Sequence, residues 1–362
     1  MPFLHNKKSF RLVLSASLIV VFFCGIGFYY YQIKNSKKQI ADSNNSILDQ
    51  KDVVEEVKVK EEDLKVACKD CVRRRSDGVL VPPGQENLAP IAIMIDNSVD
   101  ARPANGLNKA NIVYEVEAEG GITRYLAIYA SNDNVDKIGP VRSVRPYFID
   151  IAKEYGAIMT HCGGSPQALT KILKEGVLDI NEFYKGEYFW RERSRQAPHN
   201  VYTSTNNIKD YLNQKKLKAP DFLSWKFKDE KPIEVIHSPS IKINYLKPVY
   251  SVLWKYDSLK NEYVRYLGGE IHDDEIGMPI TAKNVIIMSV KISQVDDEGR
   301  IAANLSGTGK IIVCLDGQCK EGQWKKTTNI QRTKFYINDE EVELNAGKTW
   351  INIVRPQYLV EF

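Results

Sequence analysis

From about residue 232 onward, the chain is a succession of short apolar runs: YSVLWKYD, EYVRYL, NVIIMSVKI, KIIVCL, TKFYI and TWINIV. Each is too short for a stable helix and rich in β-branched and aromatic residues. Short polar turns separate them, the pattern of a mainly antiparallel β domain. Asp316-Gly317, between Cys314 and Cys319, is a hairpin-turn signal. The texture upstream differs. Residues 91–95 (IAIMI) read as a buried strand stopped by Asp96-Asn97, and residues 111–118 and 122–130 as two strands around Gly120-Gly121. Phe148, Ile151, Ala152 and Tyr155 recur at helical spacing behind Pro146, which suits a first turn. A short strand at 157–161 follows. Ser165-Pro166 then reads as a cap and first position of a helix that carries Leu169, Ile172 and Leu173 and stops at Gly176. The expected fold is an α/β or α+β N-terminal domain (mixed sheet with helices) over 67–231. A mainly antiparallel β C-terminal domain is expected over 232–362.

The N-terminus predicts a membrane location. Residues 12–31 form an uncharged run of about 20 residues, enough to span a hydrocarbon core as a helix. Lys7, Lys8 and Arg11 precede it and Tyr29, Tyr30 and Tyr31 close it. This places 1–11 in the cytoplasm, a single transmembrane anchor at 12–31, a charged linker at 32–66, and the globular part outside the cytoplasm. Two alternatives compete. One is a signal peptide cleaved near Ser15-Ala16-Ser17. The other is a lipoprotein signal ending at Cys24, where the bulky Phe23 makes a poor processing site. A formal net charge of +4 lacks the basic excess of a general nucleic-acid binder. CKDC (Cys68, Cys71) and CLDGQC (Cys314, Cys319) suit disulfides in an oxidising compartment. Reduced thiols, or one zinc site built from both pairs, are the other readings, though no His stands at finger spacing. No HExxH, P-loop, GxSxG or EF-hand pattern occurs, and GTGK at 307–310 is too short for a Walker loop. No metal or cofactor is expected.

The stretch IAIMIDNSVDARPANGLNKANIVYEVEAEGGITRYLAIYASNDNVDKIGPVRSVRPYFIDIAKEYGAIMTHCGGSPQAL resembles the YerB-like bacterial lipoprotein family, which pairs an N- and a C-terminal domain of unknown function. FWRERSRQAPHNVYTS, NLSGTGKIIV and GQWKKTTNIQRTKFYINDEEVELNAGKTWINIV are similar to its members as well. The resemblance covers nearly the whole chain after about Cys68. It implies an exported, membrane-attached location and a two-domain build, and brings no established activity. The chain departs from the pattern at the anchor, where the family lipoproteins use an acylated cysteine.

Candidate site residues cluster near helix starts. Arg142 and Arg145 stand just before Pro146, where exposed N–H groups and a partial positive charge attract anions. Guanidinium adds forked donors matched to phosphate. Gly163-Gly164-Ser165 forms a second helix start. With Arg124, Arg191, Arg195, His199 and Asp96, these residues are expected to build one pocket for a phosphate-bearing ligand. The plainer reading pairs Glu117 with Arg124 across a two-residue hairpin loop, Arg145 with Asp150 or Glu154, and leaves RERSR as a solvated loop. His161 reads as a satisfied core histidine. Cys162 has an alternative reading as a nucleophile, with His199 or His161 as its base. Glu115, Glu117 and Glu119 alternate along the hairpin, as a cation-binding or a solvated face. Trp254, Tyr256, Tyr263, Trp324 and Trp350 are core packing or a glycan-binding surface.

Two functional classes follow. One is a non-catalytic envelope protein binding a phosphate-bearing envelope ligand, with the membrane as its other partner and no nucleic acid. The other is an enzyme on a lipid-pyrophosphate-linked precursor. The order of an Arg-bearing hairpin strand, IGPVRSVRP and HCGGSP is loosely similar to the LytR-CpsA-Psr phosphotransferases. That likeness implies a phosphate clamp of Arg124, Arg142 and Arg145, with Asp96 or Asp150 holding a cation.

Overall fold

A computed structural model describes residues 70–231, 235–275 and 277–362. The first half supplies strands β1 (Pro90–Asp96), β2 (Ile112–Glu117), β3 (Thr123–Ala130), β4 (Ile158–His161) and β5 (Asp179–Asn181). It also supplies helices α1 (Pro146–Lys153), α2 (Pro166–Glu175) and α3 (Thr205–Gln214). The second half adds β6 (Ser240–Ile243), β7 (Val252–Asp257) and β8 (Glu262–Leu267). It continues through β9 (Asn284–Ser289), β10 (Gly307–Leu315), β11 (Gln318–Lys326), β12 (Lys334–Ile337) and β13 (Thr349–Val354).

These strands do not sort into one sheet per half. One 11-stranded sheet runs from the edge pair Glu340–Glu341 through β12, β11, β10, β9, β13, β2, β3, β1, β4 and β5. The seam is β13, which lies parallel to β9 on one side and parallel to β2 on the other, with Thr349 opposite both Asn284 and Ile112. Residues 70–362 accordingly group as one compact unit. The expected α/β or α+β domain followed by a separate antiparallel domain is therefore corrected: the molecule is mostly sheet, with three α-helices of eight to ten residues among the described residues. Among the described residues no helix is long and apolar enough to cross a membrane. The expected anchor (12–31) and linker (32–66), with Cys24 and Cys68, lie outside them.

Burial on both faces explains why the central strands read as unbroken apolar runs. Every residue of β1, β2, β3 and β13 is buried. Ile91, Ile93, Ile95, Tyr125 and Trp350 share one core with Ile241, Trp254 and Tyr263 of a second, six-stranded sheet built around β6–β8, and with Ile208, Tyr211 and Leu212 of α3. The alternate residues Ala92, Met94, Leu126 and Ile351 share the other core with Phe148, Ile151 and Ala152 of α1, Ile172 of α2, and Trp225. Trp254, Tyr263, Trp324 and Trp350 are thus core packing.

Cys314 and Cys319 face each other across β10 and β11 and form a disulfide around the Asp316-Gly317 turn. Both turn residues have positive φ, as this hairpin type requires. Cys71 is disulfide-bonded too. Cys162 is the free cysteine among the described residues.

Candidate functional site

β1 and β4 are parallel neighbours, and their carboxyl ends carry Asp96 and His161-Cys162. Ligands of α/β sheets bind beyond such ends. Here the chain gathers several of the charged residues singled out above. Asp96 is buried. Its Oδ1 accepts the Ser98 backbone N–H at 2.9 Å, an Asx-type turn. Its Oδ2 lies 2.9 Å from His199 Nδ1 and 3.1 Å from Arg142 Nε. Ser98 Oγ is 3.2 Å from the same His199 nitrogen. Burial pushes the Asp96 carboxyl up, but the Ser98 N–H, Arg124, Arg142 and His199 outweigh it, and the net shift is downward.

The hairpin register sets Arg124 beside Asp96. The connection between β2 and β3 runs over 118–122, with a tight turn at Glu119–Gly121, so Thr123 rather than Arg124 stands opposite Glu117. Arg124 sits opposite Val116 on one side and Asp96 on the other. The expected Glu117–Arg124 pair is therefore absent, because it required a two-residue loop and a slip of one position flips a side chain to the other face. Glu117 instead holds Arg355 through both oxygens (2.8 and 3.1 Å) and Tyr358 at 2.7 Å. Arg124 donates to the Ser143 carbonyl at 2.8 Å and lies 3.6 Å from Glu119. Arg145 is bound to Glu119 and to the Val144 carbonyl, not to Asp150 or Glu154. Asp150 pairs with Lys171, and Glu154 with the buried Lys326.

Next to this group, Cys162 donates to Glu182 Oε2 at 3.4 Å. Arg191 binds the other Glu182 oxygen at 2.8 Å and Asn200 Oδ1 at 3.0 Å. Burial, reinforced by Glu182, pushes the Cys162 thiol up to about 11, so it is protonated at neutral pH. His161 is fully buried with both ring nitrogens facing acceptors, the Gly163 carbonyl at 2.7 Å and Asp179 at 3.0 Å. Ser165 is an N-cap, accepting the Ala168 N–H at 3.2 Å. Arg195 donates to the Ala101 and Pro103 carbonyls, which ties the His199 loop to the turn after β1.

The structure thus brings Asp96, Arg124, Arg142, Arg145 and His199 together and places Arg191 beside them. Ser165 and Arg195 serve the scaffold. Most of the guanidinium groups already have acceptors. Arg142 is the exception: it meets Asp96 only through Nε, and its two Nη atoms have no hydrogen-bond partner among the described residues while the side chain is 27% exposed. Sequence reasoning missed Ser98, Ser143, Glu182 and Asn200. Ser98 carried a signal, since a Ser two residues after an Asp at a strand end fits an Asx turn. Glu182 carried none. Among the described residues no group of three or more His, Cys, Asp or Glu side chains is arranged to hold a metal.

Comparison with known proteins gives the relationship. Residues 78–218 match the N-terminal domain, and residues 241–351 the C-terminal domain, of a protein family of unknown function, DUF3048. YerB of Bacillus subtilis (strain 168), whose name calls it a lipoprotein, is 35% identical over 271 residues, which is 73% of this chain and 81% of that protein. The crystal structure of the YerB protein from Bacillus subtilis superposes with a TM-score of 0.72 at 30% identity, covering 80% of this chain and 100% of that one. Sequence and fold agree over both halves of the described sheet: the chain belongs to the YerB-like DUF3048 family.

Proposed function

We propose that this chain is a membrane-attached, extracytoplasmic binding protein that holds an anionic, phosphate-bearing envelope ligand beyond the carboxyl ends of β1 and β4. The lipoprotein name of the Bacillus subtilis relative supports the attachment. The single observation behind the ligand is Arg142. Asp96 Oδ2 lies 3.1 Å from its Nε, and neither Nη has a hydrogen-bond partner among the described residues, which leaves the fork that phosphate oxygens match. Around it, Arg124, Arg142, Arg145 and Arg191 stand against Asp96, Glu119 and Glu182. That is one positive charge in excess, which a monoanion neutralises. A thiol kept protonated and carboxylates already held by cations favour binding over turnover.

Calorimetric titration of the purified protein with inorganic phosphate and pyrophosphate tests this. Binding is expected in the native protein and lost in Arg142→Ala, with the melting temperature of that variant changed by only a few degrees. Absence of binding to the folded native protein would reject the proposal. Release of phosphate from pyrophosphate on prolonged incubation would replace it with the enzyme reading.

A further inference from the structure

Phe183 is 65% exposed, yet it is not loose. Its backbone N–H donates to Asn181 Oδ1 at 3.3 Å, and the same oxygen accepts the Gly163 N–H at 3.0 Å. Its ring rests on Gly163, so closely that a Cβ there would lie 2.9 Å from the ring. Gly163 has φ +64°, a second reason for glycine at this position. The ring is therefore seated on backbone with one side open to solvent. The loop that seats it is the one beside Arg142: the Cys162 N–H donates to the Arg142 carbonyl at 3.2 Å, and the Val144 N–H to the Gly163 carbonyl at 3.1 Å. Cys162 and Glu182 link that loop to Arg191.

From this arrangement we infer that the ligand is a phosphorylated sugar, its phosphate on the free Nη groups of Arg142 and its pyranose ring stacked on the open face of Phe183. The inference rests on the phosphate reading and specifies it. An aromatic face presents an apolar surface with negative charge density, which the C–H side of a sugar ring complements. The residue before it, Glu182, binds Arg191, which also binds Asn200, so a carboxylate, a guanidinium and a carboxamide on the same loop system are partners for hydroxyls. A lipid tail needs a continuous apolar channel, and a single ring on a polar floor does not supply one.

The test compares three phosphates of similar charge on the full protein: glycerol 3-phosphate, glucose 1-phosphate and octyl phosphate. Glucose 1-phosphate is expected to bind about two- to tenfold more tightly than glycerol 3-phosphate, the range of one aromatic stacking contact. Phe183→Ala is expected to erase that preference and leave glycerol 3-phosphate affinity unchanged, whereas Phe183→Trp keeps it. Because the ring is largely exposed, the alanine variant is expected to melt close to the native temperature, and the tryptophan variant reads the same question without removing the ring. Equal affinities for the sugar and glycerol phosphates, or tightest binding of octyl phosphate, overturn this inference and leave the phosphate site standing. Failure of all three to bind overturns both.

Discussion

The most demanding single interaction is the pair Glu115–Arg265, 2.6 Å apart with both side chains at 0% exposure. Burying two charges is less costly when most of their remaining polar atoms are also served, as here except at Arg265 Nε. Glu115 accepts from Thr123 at 2.8 Å and lies 3.3 Å from Trp350 Nε1. Arg265 meets His272 Nδ1 at 2.5 Å and lies over the Trp350 ring at 4.7 Å. Burial and Arg265 hold the His272 imidazole well below its ordinary range, which leaves its nitrogen free to accept. Replacing Arg265 by Met strands a carboxylate in the core and is expected to cost about 3–5 kcal/mol in urea unfolding. The double change Glu115→Gln with Arg265→Met is expected to cost less than the single one. Asp96 makes a second residue-scale prediction. Its pKa is below the unfolded value of 3.8, so the folded state binds fewer protons, and its contribution is complete above that value. Stability is lost as pH falls from about 3.8 through the lower folded pKa. Unfolding curves across pH 2–5 are expected to show a shallower acid loss in Asp96→Asn than in the native chain.

Individual elements were legible where local chemistry decides them. Ser165, Pro166 and Gly176 mark α2 in the sequence, and the structure shows the Ser165 cap, Pro at the first position and Gly176 at φ +60°. Ser165→Ala is expected to lower stability by about 1 kcal/mol in chemical denaturation, with Ser165→Gly milder. The Asp316-Gly317 hairpin was equally plain. Two features were not. α3 went unread because its start, TNN, has poor helix propensity and its buried stripe is only Ile208, Tyr211 and Leu212 beside Thr205. The register of β3 depended on loop length. Two glycines suggest a two-residue loop, but Ala118 and Ile122 close a longer one through an Ile122 carbonyl that accepts the Ala118 N–H at 2.7 Å. That one difference moved Arg124 from Glu117 to Asp96 and so decided the composition of the candidate site. The arginines themselves were visible; their carboxylate partners Glu119 and Glu182, brought in by the turn and by the end of β5, were not assigned.

At the scale of the molecule, strand content was readable and strand neighbourhood was not. An apolar run announces that both faces of a strand are covered, but nothing in its composition says that residues 349–354 lie beside 112–117. Contacts between the halves extend well past that seam. Glu115 meets Arg265, Glu117 meets Arg355, and Glu154 accepts from Lys326 at 2.6 Å and from both the Thr333 N–H and hydroxyl. These three buried carboxylates from the first half find their cations in the second. A first half made alone would therefore leave β2 as an open edge with one apolar face (Ile112, Tyr114, Val116), and three carboxylates without their partners. A second half made alone would expose β13 in the same way. Open edges of that kind recruit other chains. Segments 70–231 and 232–362 expressed separately are thus expected to aggregate or lack cooperative unfolding, and to yield a soluble, cooperatively melting complex when produced together. Size-exclusion chromatography with circular-dichroism melts distinguishes the cases. A half that melts cooperatively by itself would show that its core closes without β2–β13 pairing, and that the shared sheet joins two independently folded bodies.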